Sequence, residues 1–253
     1  MIASASPGAD YLGLFAAVAP VFLIIGAGFA VRLAGWLSAE ADASLMEVIV
    51  KLLYPCLILD TILGNPAMEN ARNVLLAPLI GFITVVLGYA LSRGAARLFA
   101  LGDDRSQRTF AFTTGMYNYG YVPLPLVQKL FGGATTAVLF LHNVGVEIAL
   151  WTVGIAIVSA AKPSARSRWR HVCNAPVIAI IIALLLHFAG GRRWLPEIGL
   201  TAIRSIGITA IPLGLLLTGA TFADETRGLR MHTRVRTTIV SVVLRLALLP
   251  VLM

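Results

Sequence analysis

Apolar runs long enough to cross a lipid bilayer follow one another along almost the whole chain. A helix rises about 1.5 Å per residue, so about 20 apolar residues span the hydrocarbon core. Polar and charged residues are concentrated in the short connections between these runs. The fold class expected from this pattern is an all-α integral membrane protein. The pattern predicts eight spanning helices, at residues 11–34, 45–64, 73–101, 108–131, 135–161, 174–190, 197–221 and 236–253.

The fourth run differs from the others because it contains residues that interrupt a helix. Pro123 and Pro125 each lack an N–H group, and each disfavours helix at the residue before it. We therefore predict two half-helices, at about 108–117 and 125–131, joined by an unwound segment NYGYVP. Unwound backbone persists at membrane depth only inside protein or beside a water-filled cavity, and in secondary transporters it lies at the substrate site. A proline-kinked structural helix is the alternative interpretation.

The composition supports a membrane protein and excludes several other classes. Of the 253 residues, 58% are hydrophobic and 13% are charged, whereas soluble domains have about 25% charged residues. The net charge of +8 does not indicate nucleic-acid binding, because the basic residues are spread over the connections between spans. The two cysteines and four histidines have no metal-binding or redox spacing, and no HExxH or GxSxG motif is present. We therefore expect no enzyme, no metal site and no cofactor.

The distribution of Lys and Arg predicts the orientation in the membrane. With the N-terminus outside, the inner connections carry 13 basic residues and the outer connections carry 4. The positive-inside rule therefore places the N-terminus outside and the basic linker 162–173 in the cytoplasm. Lys51, Arg204 and Arg245 lie within spans, where we interpret them as snorkelling or structural residues. Asp60, nine residues after Lys51, is not expected to pair with it.

Landmarks in the first part of the chain recur near its end. Four pairs are separated by 156 to 158 residues: Ala19-Pro20 and Ala175-Pro176, Trp36-Leu37 and Trp194-Leu195, Pro55 and Pro212, and Thr61 and Thr218. Five spans, an odd number, separate the repeats, so the second unit enters the membrane from the opposite side, as in inverted-repeat transporters. The units are residues 1–161 and 174–253, with three helices in the second. At the same offset, a second broken helix would be expected at about residue 280, which lies beyond the 253 residues of the sequence. The sequence thus predicts eight helices of ten, as in a fragment or the product of a truncated gene.

Short motifs are distributed over nearly the whole chain. They are APVFLIIGAGFAVRLAGWLS (19–38), NYGYVPLPL (118–126) followed by LFG (130–132), Asn174-Ala175-Pro176 and IPLGLLLTGATF (211–222). Together they resemble the signature of the auxin efflux carrier family, which includes the plant PIN carriers and bacterial relatives. Pro123 stands where that family usually has glycine.

The resemblance implies a ten-helix transporter built from two inverted five-helix repeats. Helices 1, 2, 6 and 7 form a scaffold that is often dimeric, and helices 3–5 and 8–10 form a mobile transport domain. Helices 4 and 9 break and cross at prolines, where an organic anion such as malate, malonate or indole-3-acetate binds. The implied function is a secondary transporter that moves a small organic anion, a carboxylate, across the plasma or inner membrane by alternating access.

Two alternatives accompany this interpretation. One is a sodium-coupled organic anion symporter of the bile-acid symporter type, and the other is a non-transporting membrane protein. Coupling to H⁺ or Na⁺ is left open. The expected partners are the organic anion, the lipid bilayer and a second copy of the chain bound through the scaffold helices.

The candidate site combines the broken helix with polar residues of the fifth span. Asn118 matches the family's crossing asparagine, and its amide either donates to a carboxylate or satisfies carbonyls freed by the break. Asn143 and Glu147 are four residues apart and share a helix face. An intramembrane carboxylate indicates function, so Glu147 is expected to bind substrate, carry a proton or pair with a basic residue. The residues expected to bind substrate are Asn118, Tyr119, Gly120, Tyr121, Pro123, Pro125, Asn143 and Glu147.

Other positions complete the expectations. A scaffold cavity is expected at Pro55, Thr61, Pro212 and Thr218, with the prolines as kinks and the threonines satisfying backbone carbonyls or lining the cavity. His142 lies nearer the outer end of the fifth span, where an interfacial role is expected. Free N–H groups at the start of the second half-helix are expected to attract the anion.

Overall fold

Helices make up all the regular secondary structure in the described part of the chain. The structure is a computed structural model that describes residues 11–120, 122–158, 174–228 and 235–252. The helices, labelled in chain order, are α1 (Tyr11–Leu33), α2 (residues 39–62), α3 (Ala71–Leu98), α4 (Asp104–Gly115), α5 (Pro123–Val158), α6 (Ala175–Phe188), α7 (residues 197–228) and α8 (residues 235–252).

Four of these helices are not uniform along their length. A π-helical turn lies within α2, α5 and α8, whereas α7 is interrupted at residues 208–209. The segments are Ala39–Val48, Ile49–Leu53 (π) and Tyr54–Ile62 in α2; Pro123–Ala149, Leu150–Gly154 (π) and Ile155–Val158 in α5; Glu197–Gly207 and Ala210–Gly228 in α7; and Val235–Val243, Leu244–Leu248 (π) and Leu249–Leu252 in α8.

The helices coincide with the apolar runs of the sequence, and several have the length that a bilayer requires. Three are long and apolar enough to cross a membrane by length and composition: Ala71–Leu98, Pro123–Val158 and Glu197–Thr226. Val18–Leu33 and Ala175–Phe188 are apolar but shorter. The prediction of a helical, multi-pass membrane protein is therefore confirmed, and the inverted arrangement of its two halves stays a prediction.

Polar side chains fix where several helices begin. The side-chain oxygens of Asn70, Asp103 and Asn174 accept the backbone N–H groups two or three residues later, at 2.9–3.0 Å. These bonds satisfy amides that have no partner in the first helical turn. Each of these caps lies at the boundary between a polar connection and an apolar run, which is why α3, α4 and α6 start there.

The predicted interruption of the fourth span is present in the structure. The helix α4 ends at Gly115, and Met116 is extended, with φ −92° and ψ 131°. Helix resumes at Pro123, two residues earlier than predicted, because proline is well tolerated in a first turn, where its missing N–H has no partner to lose. The prolines therefore begin the second half-helix, and the unwound segment is residues 116–122, of which residue 121 lies outside the described part.

A second turn of the chain lies nine residues after Pro123. Gly132 has φ 79° and ψ −178°, a backbone conformation that side chains with a Cβ atom rarely adopt. It separates a short half-helix, residues 123–131, from the long remainder of α5. The short half-helix thus lies between two breaks, as a discontinuous helix of a transporter requires.

The most extensive helix packing lies within two groups, which are connected by smaller contacts of α5 with α1, α2 and α6. In one group α7 packs on α1 and α2, and α6 packs on α2; in the other, α3 packs on α4 and α5. Glycines allow the closest approaches: a Cβ atom on Gly28 of α1 would lie 2.0 Å from the carbonyl oxygen of Leu216, and one on Gly145 of α5 would lie 1.7 Å from that of Pro78. Small residues at helix contacts are typical of membrane bundles, where close packing replaces the hydrophobic driving force.

Prolines at related positions disturb α2 and α7 in the same place. Each proline removes the bond of the carbonyl four residues earlier, and the π-helical turn precedes Pro55 as the interruption at 208–209 precedes Pro212. The Ala-Pro pairs behave differently, since Pro20 lies inside α1 whereas Pro176 lies in the first turn of α6. The prolines of α2 and α7 thus act alike, whereas the inverted repeat as a whole stays a prediction.

Arg32 is buried between three helices instead of lying in an exposed connection. Its side chain is 4% exposed and forms ion pairs with Asp42 of α2 and with Asp224 of α7, the latter at 3.3 Å between Nε and Oδ2. Its Nη1 also donates to the carbonyl oxygen of Leu37 at 2.9 Å. A buried arginine with two carboxylate partners ties α1 to the start of α2 and to the end of α7.

Replacement of Arg32 with glutamine tests this ion-pair cluster. We expect Arg32→Gln to lower the free energy of unfolding by about 2 kcal/mol, below the value for a wholly buried pair because Asp224 is partly exposed. Thermal unfolding of the purified protein in detergent measures the effect. The matched control is Arg72→Gln at an exposed arginine of α3. Equal midpoints for Arg32→Gln and the control would show that the cluster does not stabilise the bundle.

Candidate functional site

A cavity of about 600 Å³ lies beside the break between α4 and α5. Its walls are mostly apolar and include Val50, Ile58, Phe140 and Ile180. The polar and charged lining residues come from the break and from α2, α4, α5, α8 and the residue before α6: Tyr54, Thr113, Tyr117, Asn118, Tyr119, Asn143, Glu147, Asn174 and Arg245. Five of the eight predicted substrate-binding residues line this cavity: Asn118, Tyr119, Gly120, Asn143 and Glu147.

A second cavity of about 560 Å³ also borders the unwound segment. It is lined by residues of α3, α5 and α8, including Thr84, His142 and Pro250. The two cavities share Met116, Tyr117, Asn118 and Arg245. The unwound backbone is therefore flanked by open space on two sides, which is where non-helical backbone is tolerated at membrane depth.

The Glu147 carboxylate is held by three hydrogen-bond donors. The Tyr119 hydroxyl donates to Oε1 at 2.8 Å, and Trp151 Nε1 and Asn174 Nδ2 donate to Oε2 at 2.9 and 3.0 Å. The expected alternative, a pair with an Arg or Lys, does not occur among the described residues. Neutral donors therefore stabilise the carboxylate and connect the break, α5 and the start of α6.

A second chain of hydrogen bonds joins the break to α3 and α5. The Tyr117 hydroxyl lies 3.0 Å from Thr84 Oγ1 and 3.2 Å from His142 Nε2, and Asn143 Nδ2 donates to the carbonyl oxygen of Tyr119 at 2.8 Å. His142 has a half-buried ring that contacts Tyr117 and lines the second cavity, so it belongs to the site, and the interfacial role expected for it stays a prediction. The side chains of α5 thus hold the unwound backbone in place.

Asn118 is exposed beside both cavities. Its Oδ1 accepts the amide of Gly120 at 3.2 Å, which shapes the turn of the unwound segment. Its Nδ2 forms no hydrogen bond to any residue that the structure describes. The two N–H groups of Asn118 Nδ2 therefore have no partner among the described residues.

Arg245 of α8 satisfies the backbone carbonyls that the break leaves without partners, which is one of the two roles expected for Asn118. Its Nε donates to the carbonyl oxygen of Thr114 at 3.2 Å, and its Nη2 donates to those of Met116, at 2.6 Å, and of Thr113. These are carbonyls at the last turn of α4, which carries the negative end of the helix dipole. The interpretation of Arg245 as structural thus holds for these bonds, but it missed that the residue lines both cavities. The signal was an arginine in an apolar span, which usually indicates function.

The start of the second half-helix offers few N–H groups, contrary to expectation. Pro123 and Pro125 have none, and the N–H of Leu124 already donates to the carbonyl oxygen of Gly120 at 3.1 Å. The first three positions of this half-helix therefore have no donor left for an anion. Neither proline lines the two cavities, so both shape the break without contacting its contents. Tyr121 lies outside the described residues.

The expected scaffold-cavity residues lie away from the break. Pro55, Thr61, Pro212 and Thr218 line neither of the two cavities, although Tyr54 next to Pro55 lines the first. The hydroxyls of Thr61 and Thr218 donate to the carbonyl four residues earlier, at 2.7 and 2.8 Å. Both threonines thus satisfy backbone carbonyls, which is one of the two roles expected for them. Thr61 also lines a separate polar cavity of about 310 Å³.

The remaining intramembrane charges pair with one another. Arg204 Nε donates to Asp60 Oδ1 at 3.1 Å, and Lys51 pairs with Glu47 one helical turn earlier. Lys51 and Asp60 do not pair, as predicted from their spacing. Across the described part of the chain, no three His, Cys, Asp or Glu side chains lie close enough to hold a metal ion.

Comparisons with known proteins agree with a role in transport. Residues 14–167 and 162–253 match the family described as membrane transport protein. A protein of Methanothermobacter thermautotrophicus, named an uncharacterized transporter, is 25% identical over 216 residues, which are 83% of this chain and 68% of the relative. Because the matched segments cover nearly the whole sequence, the chain belongs to the membrane transport protein family, which is that of the auxin efflux carriers.

Proposed function

We propose that the protein is a secondary transporter that moves a small organic anion, a carboxylate, across a cell membrane by alternating access. The observation that carries the proposal is the break between α4 and α5, which lies between two cavities and presents Asn118 and Arg245 to both. A helix broken at a cavity is the usual substrate site of secondary transporters.

The chemistry of the first cavity supports an anion with a carbon skeleton. A carboxylate needs hydrogen-bond donors and a nearby positive charge, and Asn118 Nδ2 and Arg245 supply them. Apolar walls, such as Val50, Phe140 and Ile180, suit the rest of a small organic molecule. A site of apolar walls with a few polar groups is typical of small-molecule binding.

The two packing groups suit alternating access. The proposed scaffold is α1, α2, α6 and α7, and the proposed transport unit is α3, α4, α5 and α8. Within the described residues, the hydrogen bonds that join them include Asn174 Nδ2 to Glu147, Asn65 Nδ2 to the carbonyl oxygen of Gly133 at 3.1 Å, and Lys129 Nζ to that of Ala16 at 2.8 Å. Each is worth about 0.5–3 kcal/mol, which is small enough for the bond to break during a transport cycle.

The proposal extends to the orientation and assembly expected from the sequence. The N-terminus lies outside in the plasma or inner membrane, as the Lys and Arg distribution predicts. The scaffold helices pair with those of a second copy, as the family resemblance implies. Coupling involves H⁺ carried by Glu147, because this is the carboxylate in contact with the break.

Replacement of Asn118 with alanine tests the substrate site. We expect Asn118→Ala to reduce uptake of malonate, malate or indole-3-acetate into proteoliposomes to background, because the charge-assisted bonds from Nδ2 are lost. Expression and thermal stability stay unchanged, since the side chain makes one contact within the described structure. The matched control is Asn73→Ala, at a residue outside both cavities. Unchanged uptake by Asn118→Ala would remove this residue from the site.

Replacement of Glu147 with glutamine tests proton coupling. Glutamine has the same shape, and its amide group is able to donate to Tyr119 while its oxygen accepts from Trp151 and Asn174. We therefore expect Glu147→Gln to fold normally. Uptake by the unaltered protein should change across about pH 5–8, whereas uptake by the variant should not, because it has no proton to release.

The controls for this experiment address both the residue and the ion. Glu69→Gln, in an exposed connection, should keep the pH dependence of the unaltered protein. Parallel uptake with and without Na⁺ separates proton coupling from the sodium-coupled alternative. Identical pH profiles for the unaltered protein and Glu147→Gln would exclude Glu147 as the proton carrier, and a strict Na⁺ requirement would favour the sodium-coupled mechanism.

A further inference from the structure

Arg245 has donors and charge that its structural role does not use. Its bonds to the last turn of α4 involve Nε and Nη2. Nη1 forms no hydrogen bond to a residue within the described ranges. The guanidinium therefore keeps two N–H groups without a partner among the described residues, in a side chain that lines both cavities.

Without this residue, the open end of α4 would repel an anion. The carbonyl oxygens of Thr113, Thr114 and Met116 lie at the C-terminal end of α4, where the helix dipole is negative. On the other side of the break, the prolines of the second half-helix remove the N–H groups that usually attract an anion. The backbone groups at the open end of α4 thus have the wrong sign of potential for an anion, although the positive end of the α6 dipole borders the same cavity.

Other charges near the first cavity do not correct this. Of the described residues that line it, Glu147 is the other one with a formal charge, and its three donors are directed to the carboxylate rather than into the cavity. Arg204 is paired with Asp60 and lines neither cavity at the break. Among the residues that the structure describes, Arg245 is therefore the one permanent cation at the break.

We propose that Arg245 makes the break an anion site, with Nη1 binding the carboxylate while Nε and Nη2 hold the open end of α4. This assignment deepens the proposed function and rests on it for the identity of the ligand. A residue of α8 thereby connects three things: the position of α8, the open end of α4 and the charge of the ligand. Arginine suits this role because its rigid, planar group presents donors in several directions at once.

Thiol reactivity at the break tests the charge directly and needs no transport. The reporter is Met116→Cys, at a residue of the break that lines both cavities, introduced with Cys56→Ser and Cys173→Ser so that it is the sole thiol. Its modification rate is measured with the anionic sulfonatoethyl and the cationic trimethylammonioethyl methanethiosulfonates. We expect Arg245→Gln to lower the anionic-to-cationic rate ratio by about tenfold or more, and Arg245→Lys to keep it within about threefold, since lysine retains the charge.

The other outcomes have defined meanings. Arg204→Gln is the matched control, because it removes an arginine that does not line the cavity, and its ratio should not change. An unchanged ratio in Arg245→Gln, or equal losses in Arg245→Gln and Arg245→Lys, would show that Arg245 acts only as a cap of α4 and would overturn the proposal.

Competition with malonate separates this proposal from that of transport. We expect malonate to slow labelling of the thiol by the anionic reagent when Arg245 is present, and not in Arg245→Gln. Slowing in both proteins would mean that another group binds the anion and would overturn the assignment. If malonate slows labelling but proteoliposomes take up none of the three carboxylates, the anion site stands and the transport proposal fails.

Discussion

Lipid offers no hydrogen-bond partner to backbone groups, so an opened helix must find its partners in the protein. Each backbone N–H or C=O group without a partner in hydrocarbon raises the free energy of the folded state by several kcal/mol. Here the Arg245 side chain donates hydrogen bonds to carbonyls of the last turn of α4. Asn143 donates to the carbonyl of Tyr119, and Asn118 accepts the amide N–H of Gly120. The break persists because side chains from α5 and α8 replace the bonds that the helix has lost.

The same contacts connect the break to the helices around it. The side chain of Tyr119, in the unwound segment, donates a hydrogen bond to Glu147. Asn174, at the start of α6, donates a second hydrogen bond to the same carboxylate. A shift of α5 relative to α6 therefore has to change a bond at the Glu147 carboxylate. Protonation of that carboxylate would weaken the charge-assisted bonds to Tyr119 and Asn174. This gives a physical route by which a proton at Glu147 affects the packing of the two helix groups.

The sequence predicted the features that depend on local chemistry. Apolar runs placed the helices, and two closely spaced prolines with a glycine placed the break. The boundaries moved by two residues because Pro123 begins a helix as readily as it ends one. The prediction that free N–H groups at the start of the second half-helix attract an anion was wrong for the same reason. Prolines at the first and third positions of this half-helix have no N–H group.

Features that depend on distant contacts escaped the sequence analysis. Arg245 bonds to carbonyls about 130 residues earlier in the chain, and no spacing rule connects positions so far apart. Arg32 resembled a charge in a connection, but Asp224 from α7 reaches it only in the folded bundle. His142 contacts Tyr117 of the break, a partner that its position in the fifth span did not indicate. In each case the partner comes from another helix, which only tertiary packing determines.

The open end of α4 borders two cavities that we expect water to enter. Hydrogen–deuterium exchange of the protein in lipid nanodiscs measures this most directly, at the backbone amides of Tyr117, Asn118 and Tyr119. We expect these amides to exchange at least about a hundredfold faster than those in the middle of Ala71–Leu98, because they lack helical partners and border the cavities. Exchange as slow as that of Ala71–Leu98 would mean that the helix is closed and would contradict the account.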